Sequence, residues 1–174
     1  MIQLQTSRLR LLQFTWDDLD ELARIGSDPK TRGFLWDGPT DYESTAGNLQ
    51  QWMKEYERGL GHLAMRAKPG GGLIGHCGLT EREGRVVLAY ALHKNHWCKG
   101  LVPEACEAVL RYGFEVLGLE EIWTGTRAEN LAWRGMIEDL RMTLQEAEEG
   151  TGEGEEVRYA AVREEFSNIP ITKH

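Results

Sequence analysis

The 174-residue chain reads as an α+β fold, a mixed α/β layer structure. Three observations predict it. Segments with two-residue apolar alternation take turns with segments of helical spacing. A glycine-containing connection joins a strand to a helix near residue 100, and the chain closes on two strand-like runs separated by Gly150-Thr151-Gly152-Glu153-Gly154. Strands with helices between them and a closing hairpin pack as layers around a core. No repeat, linker or composition break divides the sequence, so one domain over residues 1–174 is expected.

The elements follow in order. Leu9, Leu11 and Phe14 suggest a strand; Thr15 with Asp18 three residues later forms a capping-box-like start for a helix carrying Leu19, Leu22, Ala23 and Ile25. Asp28-Pro29 ends it. A second helix runs from about Tyr42 to Tyr56, with Leu49, Trp52, Met53 and Tyr56 on one face. Strands follow at Leu60 to Ala67 and Leu73 to Thr80, reversed through Gly70-Gly71-Gly72, and Glu83-Gly84 turns the chain into a strand from Arg85 to Leu92. The helix Glu104 to Leu117 is capped by Gly118. A strand Ile122 to Thr126, a helix from Asn130 to about Leu140, and the hairpin strands Met142 to Ala147 and Glu155 to Arg163 complete the chain.

The connection Trp97-Cys98-Lys99-Gly100-Leu101-Val102-Pro103 carries the best clue to function. A strand that stops in a glycine-containing loop and restarts as a helix leaves unpaired N–H groups at the helix mouth, where the macrodipole adds about half a unit of positive charge. Such a loop can hold a pyrophosphate without a cluster of basic side chains. The same residues also suit an ordinary connection, with Gly100 for a tight turn and Pro103 in the first helical turn.

Composition narrows the classes. A chain of this length buries roughly two-thirds of its surface, enough for a core without staples. Cys77, Cys98 and Cys106 are an odd number; with no apolar leader and no long apolar run, they point to a reducing, cytoplasmic location. The net charge of −8 and the lack of a basic stripe speak against nucleic acid and anionic membrane as partners, and suit a cationic substrate. His93-x-x-His96 with Cys98 has zinc-ligand residue types, but the spacing runs across a strand end and a loop, and His76 and Cys77 face opposite sides of one strand. No metal is expected.

The stretch Leu88 to Leu119, LAYALHKNHWCKGLVPEACEAVLRYGFEVLGL, resembles the acetyl-coenzyme A core of the GNAT superfamily of N-acetyltransferases. It is similar to the RimJ/RimL-like branch, worded Gly-Tyr-x-Leu, then Trp-Gly-Lys-Gly-x-Ala-Thr-Glu-Ala, then a helix ending in Phe-x-x-Leu-Gly-Leu. Arg127 to Arg134 resembles that branch's Glu-Asn-x-x-Ser motif, and Thr6 to Leu11 and Val157 to Phe166 resemble its first and last strands. The resemblance implies a mostly antiparallel sheet flanked by helices and splayed between the fourth and fifth family strands.

It also implies a site. Main-chain groups of Tyr90, Ala91 and Leu92 would pair with the pantetheine arm of acetyl-coenzyme A, and one of their amides would polarise the acetyl oxygen. Backbone groups from Cys98 through Lys99, Gly100 and Leu101 to Val102 would hold the pyrophosphate, Lys99 adding charge. Asn130 would meet a pantetheine amide or hold the splayed loop, and Trp133 would pack on the arm or narrow the tunnel. Asp37, Asp41 and Trp36 fall in the region that commonly forms the acceptor wall. Several positions depart from the family. Cys98 replaces a glycine, Val102 a small residue and Trp133 a serine able to protonate the leaving thiolate; Pro103 removes a donor, and the customary strand carboxylate near Val87 is absent.

The general base is therefore open. An ammonium with a pKa near 10.4 must lose a proton before it attacks, and the candidates are His93, Glu81, Glu83 and His96. The expected function is acetyl transfer from acetyl-coenzyme A to a primary amine, on a small molecule or a protein N-terminus, directly within a ternary complex. A non-catalytic acyl-coenzyme A sensor and an unrelated nucleotide-binding domain are the alternatives. An edge strand or the closing hairpin could pair with a second copy, which leaves a homodimer open.

Overall fold

The computed structural model describes residues 1–34, 38–148 and 155–167. Along the chain run β1 (Gln3–Gln5), β2 (Leu9–Gln13), α1 (Leu19–Gly26), β3 (Thr31–Phe34), α2 (Tyr42–Glu55), β4 (Gly61–Ala67), β5 (Leu73–Arg82) and β6 (Arg85–His93). Then come α3 (Leu101–Glu115), β7 (Glu121–Arg127), α4 (Leu131–Asp139), β8 (Thr143–Glu148), β9 (Glu156–Val162) and α5 (Arg163–Ser167). Among the described residues the strands make one nine-stranded sheet in the order β1-β2-β4-β5-β6-β7-β9-β8, with β3 added against β6. Every pairing is antiparallel except β6 with β7. This is the mixed, mostly antiparallel, helix-flanked sheet that the sequence predicts.

Strand alternation assigns the two faces. On β4, Leu63 and Met65 join a core with Leu9, Leu11, Leu79, Tyr90 and the buried face of α3. Ala64, between them, joins a separate cluster with Phe14, Leu22, Ile25, Leu49 and Trp52, beneath α1 and α2. The Thr15–Asp18 box forms as expected, with Thr15 N–H donating to Asp18 Oδ2 at 2.9 Å and Asp17 N–H to Thr15 Oγ1 at 3.2 Å. It opens a short 3-10 turn, Trp16–Asp18, and α1 starts only after it.

Three features differ from the sequence reading. β1, β3 and the helix α5 over Arg163–Ser167, where the last strand was expected to run on to Phe166, are additions, so the family's fourth and fifth strands are β6 and β7 here. α3 begins at Leu101, three residues earlier than expected. Pro103 does not prevent this, because N–H groups in the first turn of a helix have no intrahelical acceptor. The helix also stops at Glu115, and the chain turns through Gly118 at φ +69°, with Leu119 N–H returning to Gly113 O at 3.0 Å. The expected hairpin tip from Gly150 to Gly154 lies outside the described residues.

Candidate functional site

β6 and β7 part. Their parallel pairing has one register pair, Val87 with Trp123. One residue further on, buried Thr124 Oγ1 donates to the Leu88 carbonyl at 2.9 Å. Beyond that prop, β6 continues with β5 on one edge, Cys77 opposite Tyr90, His76 opposite Ala91 and Gly75 opposite Leu92. Its other edge is taken by β3, with Phe34 opposite Tyr90, Gly33 opposite Ala91, Arg32 opposite Leu92 and Thr31 opposite His93. Tyr90, Ala91 and Leu92 thus lie beside the divergence, as the resemblance implies, and their outer edge is paired with the chain's own strand.

From β6 the chain passes through a 3-10 turn, Lys94–His96, into the loop before α3. The Trp97 indole N–H donates back to Leu92 O at 2.9 Å and pins the loop to the strand. Cys98 and Gly100 both take left-handed backbone, at φ +59° and +75°. Glycine is free there; at Cys98 the conformation costs about 1 kcal/mol, which explains why the related pattern carries glycine. In α3 the first N–H that returns to a backbone carbonyl is that of Glu104, to Gly100 O at 3.3 Å. The N–H groups of Leu101 and Val102 therefore stand at the helix mouth, as an anion site requires.

A buried carboxylate braces this mouth from behind. Glu104, 3% exposed, accepts from Thr6 Oγ1, from Ser7 Oγ at 3.3 Å, from Arg8 N–H at 3.2 Å and from Arg8 Nε at 3.0 Å. Burial alone would raise its pKa, but the hydrogen bonds from Thr6 and Arg8 outweigh it and hold the carboxyl below its usual range. Arg8 also donates to the Lys99 carbonyl at 2.7 Å, so the first family strand and α3 clamp the loop together. The sequence reading used Glu104 only as a helix start. The signal was present: Gly100 to Ala105 follows the wording Gly-x-Ala-Thr-Glu-Ala, whose glutamate is Glu104.

Across the divergence, the Trp133 ring stacks on Tyr90, centroids 5.0 Å apart at 25°. Burial pushes the Tyr90 phenol well above its ordinary value and keeps it protonated. Asn130 caps α4, its Oδ1 accepting from Trp133 N–H at 3.3 Å, and so fixes where Trp133 stands.

Of the candidate bases, His93, Glu81 and Glu83 are engaged. His93 Nε2 lies 2.6 Å from Asp28 Oδ2, and its Nδ1 accepts from Asn95 N–H at 3.3 Å, so the neutral ring donates through Nε2. The Lys30 N–H, then His93, hold the Asp28 carboxyl below its usual value. Glu81 pairs with Arg58, and Glu83 sits in a left-handed turn 3.9 Å from Arg158. Burial, then Lys99 and His93, lower the His96 pKa. Asp41 serves as the N-cap of α2, accepting from Ser44 N–H at 2.7 Å. Trp36 and Asp37 lie outside the described residues. Among the described residues no group of three or more His, Cys, Asp or Glu could hold a metal ion, and no helix is long and apolar enough to cross a membrane.

A sheet parted beside a phosphate-type helix mouth defines an acyl-coenzyme A transferase fold. Residues 8–143 match the acetyltransferase (GNAT) domain, and the chain belongs to that family of acetyltransferases. An uncharacterized N-acetyltransferase p20 from Bacillus licheniformis is 30% identical over 135 residues, spanning 75% of this chain and 76% of that protein. Among solved structures, a GNAT-family acetyltransferase from Bordetella pertussis superposes with TM-score 0.80 at 16% identity, over 92% of this chain and 99% of that one. RimL, a ribosomal-protein alpha-N-acetyltransferase in complex with coenzyme A, superposes with TM-score 0.77 at 13% identity, over 92% and 98%. At these identities the superpositions show a shared fold.

Proposed function

We propose that the chain transfers the acetyl group of acetyl-coenzyme A to a primary amine, directly within a ternary complex. The observation that carries this reading is the parting of β6 from β7 after Val87 and Trp123, next to the open N–H groups that begin α3. The cosubstrate supplies an activated acyl thioester. Leu101 and Val102, with the Cys98, Lys99 and Gly100 backbone, would bind its pyrophosphate through their N–H groups. A β6 amide from Tyr90, Ala91 or Leu92 is suited to polarise the thioester carbonyl, where charge grows in the transition state. Trp133, stacked on Tyr90 and held by Asn130, narrows the α4 side of the gap and excludes water from it.

The acceptor is an amine on a small molecule or a protein N-terminus; the likeness to RimL supports the second. The net charge of −8 favours a cationic acceptor. One domain and a cytoplasmic setting complete the reading, and an edge strand or the closing hairpin is available to pair with a second copy. A second reading, a coenzyme A-binding sensor without transfer, draws on the engaged state of His93 and on Trp133 standing where a proton donor is common.

Thermal-shift titrations with acetyl-coenzyme A, coenzyme A and ADP, followed by thiol release with a panel of amines, test the proposal. Stabilisation by about 2.7 kcal/mol is expected from both coenzyme A species at a hundredfold excess over Kd, with little from ADP. Amine-dependent thiol release supports transfer. Binding without release for any amine supports the sensor, and equal stabilisation by ADP contradicts both.

A further inference from the structure

β3 fills the place on β6 that the cofactor reading gives to the pantetheine arm. The outer edge of β6 cannot be left bare inside the molecule, because buried N–H and C=O groups need partners. β7 pairs with β6 in register at Val87, its Thr124 side chain donates to the Leu88 carbonyl, and β3 covers Tyr90 through His93. Pantetheine is an extended chain with two amides, so it offers that edge the same hydrogen-bonding groups as a short strand does.

The fit of β3 is specific. A Cβ on Gly33 would fall 1.7 Å from the Tyr90 carbonyl oxygen and 2.5 Å from Ala91 Cα, so only glycine allows this approach. Phe34 reaches across to β7: a Cβ on Gly125 would meet its ring atoms at 3.1 Å. The strand therefore spans the gap from one wall to the other. Its root is tied down by Thr31 Oγ1 donating to Ile25 O at 2.8 Å and by His93 Nε2 against Asp28 Oδ2 at 2.6 Å. Its body is only four residues long, with Arg32 exposed and Gly33 and Phe34 half-buried, which puts it among the segments that open most easily.

We propose that β3 is a displaceable stand-in for the pantetheine arm: it closes the gap between β6 and β7 in the free chain and leaves that edge when coenzyme A enters. The inference rests on the reading of the gap as the cofactor's. Because only the open form accepts the arm, the observed affinity is the intrinsic affinity scaled by the open fraction.

Hydrogen exchange on the wild-type chain with and without coenzyme A, together with the coenzyme A Kd of Gly33→Ala, tests the proposal. Gly33→Ala breaks the close approach and removes nothing from β6 or the phosphate loop. The expected result is slower exchange at Cys98 to Val102 and faster exchange at Arg32 to Phe34 on adding coenzyme A, with Kd lowered about tenfold in Gly33→Ala. Loop protection with unchanged or slowed exchange in β3, or unchanged or weaker binding by the variant, overturns the proposal while leaving the cofactor reading intact. No loop protection overturns both. If the variant does not fold, wild-type exchange alone decides.

Discussion

His76 and His62 show how one pair of side chains can set a property of the whole molecule. Both are buried beneath α2, their Nδ1 atoms 2.8 Å apart, with Trp52 stacked on His62 at 4.6 Å. One Nδ1 donates its proton to the other, so the bond needs at least one neutral ring and is lost when both are protonated. Burial lowers the His76 pKa to about 3, and burial, then His76, takes His62 well below its usual range. Unfolding restores an ordinary value near 6.5, so the unfolded chain binds more protons below it. The stabilisation is full above about pH 6.5 and declines as pH falls toward about 3. The melting temperature is expected to drop between about pH 7 and pH 5, before most carboxylates titrate, and to drop less in His76→Gln. Parallel curves for the two proteins would count against it.

Among the elements, the clamp between Thr6–Arg8 and α3 governs the Cys98–Gly100 loop proposed to bind the pyrophosphate. Glu104→Ala removes the acceptor of Thr6 Oγ1, Arg8 N–H and Arg8 Nε, and loosens the guanidinium that holds the Lys99 carbonyl. It should cost about 2 kcal/mol in urea unfolding, because half-buried Thr6 and exposed Arg8 lose hydrogen bonds to a charged acceptor, and should also raise the coenzyme A Kd. A change under 1 kcal/mol with unaltered Kd would refute the clamp. Elements with strong local signals were legible: the Thr15 box, the apolar face of α2, and Gly100 before α3. β3 was not. Thr31-Arg32-Gly33-Phe34 has no apolar alternation, follows Asp28-Pro29 and contains a glycine. What makes it a strand is an open edge on β6, some sixty residues away in sequence. Glu104 is legible in the motif but its bracing role is not, since its partners lie ninety-six to ninety-eight residues distant. His93 carried a base-like signal, and only the packing shows both of its nitrogens occupied.

At the scale of the molecule, two layers of different character meet along β4, β5 and β6. α3 covers one face and sets the Cys98–Gly100 loop at the end of β6, while α1 and α2 cover the other and lead β3 into the gap. On the proposed reading, withdrawal of β3 opens a passage between the faces, so that the thioester enters from the α3 side and the amine reaches its carbonyl carbon from the other. A crystal structure with coenzyme A bound tests this account most directly. It should show the pyrophosphate on the Cys98 to Val102 backbone and the pantetheine arm between β6 and β7, hydrogen-bonded to Tyr90–Leu92. Coenzyme A bound elsewhere, with β6 and β7 holding no ligand between them, would contradict it.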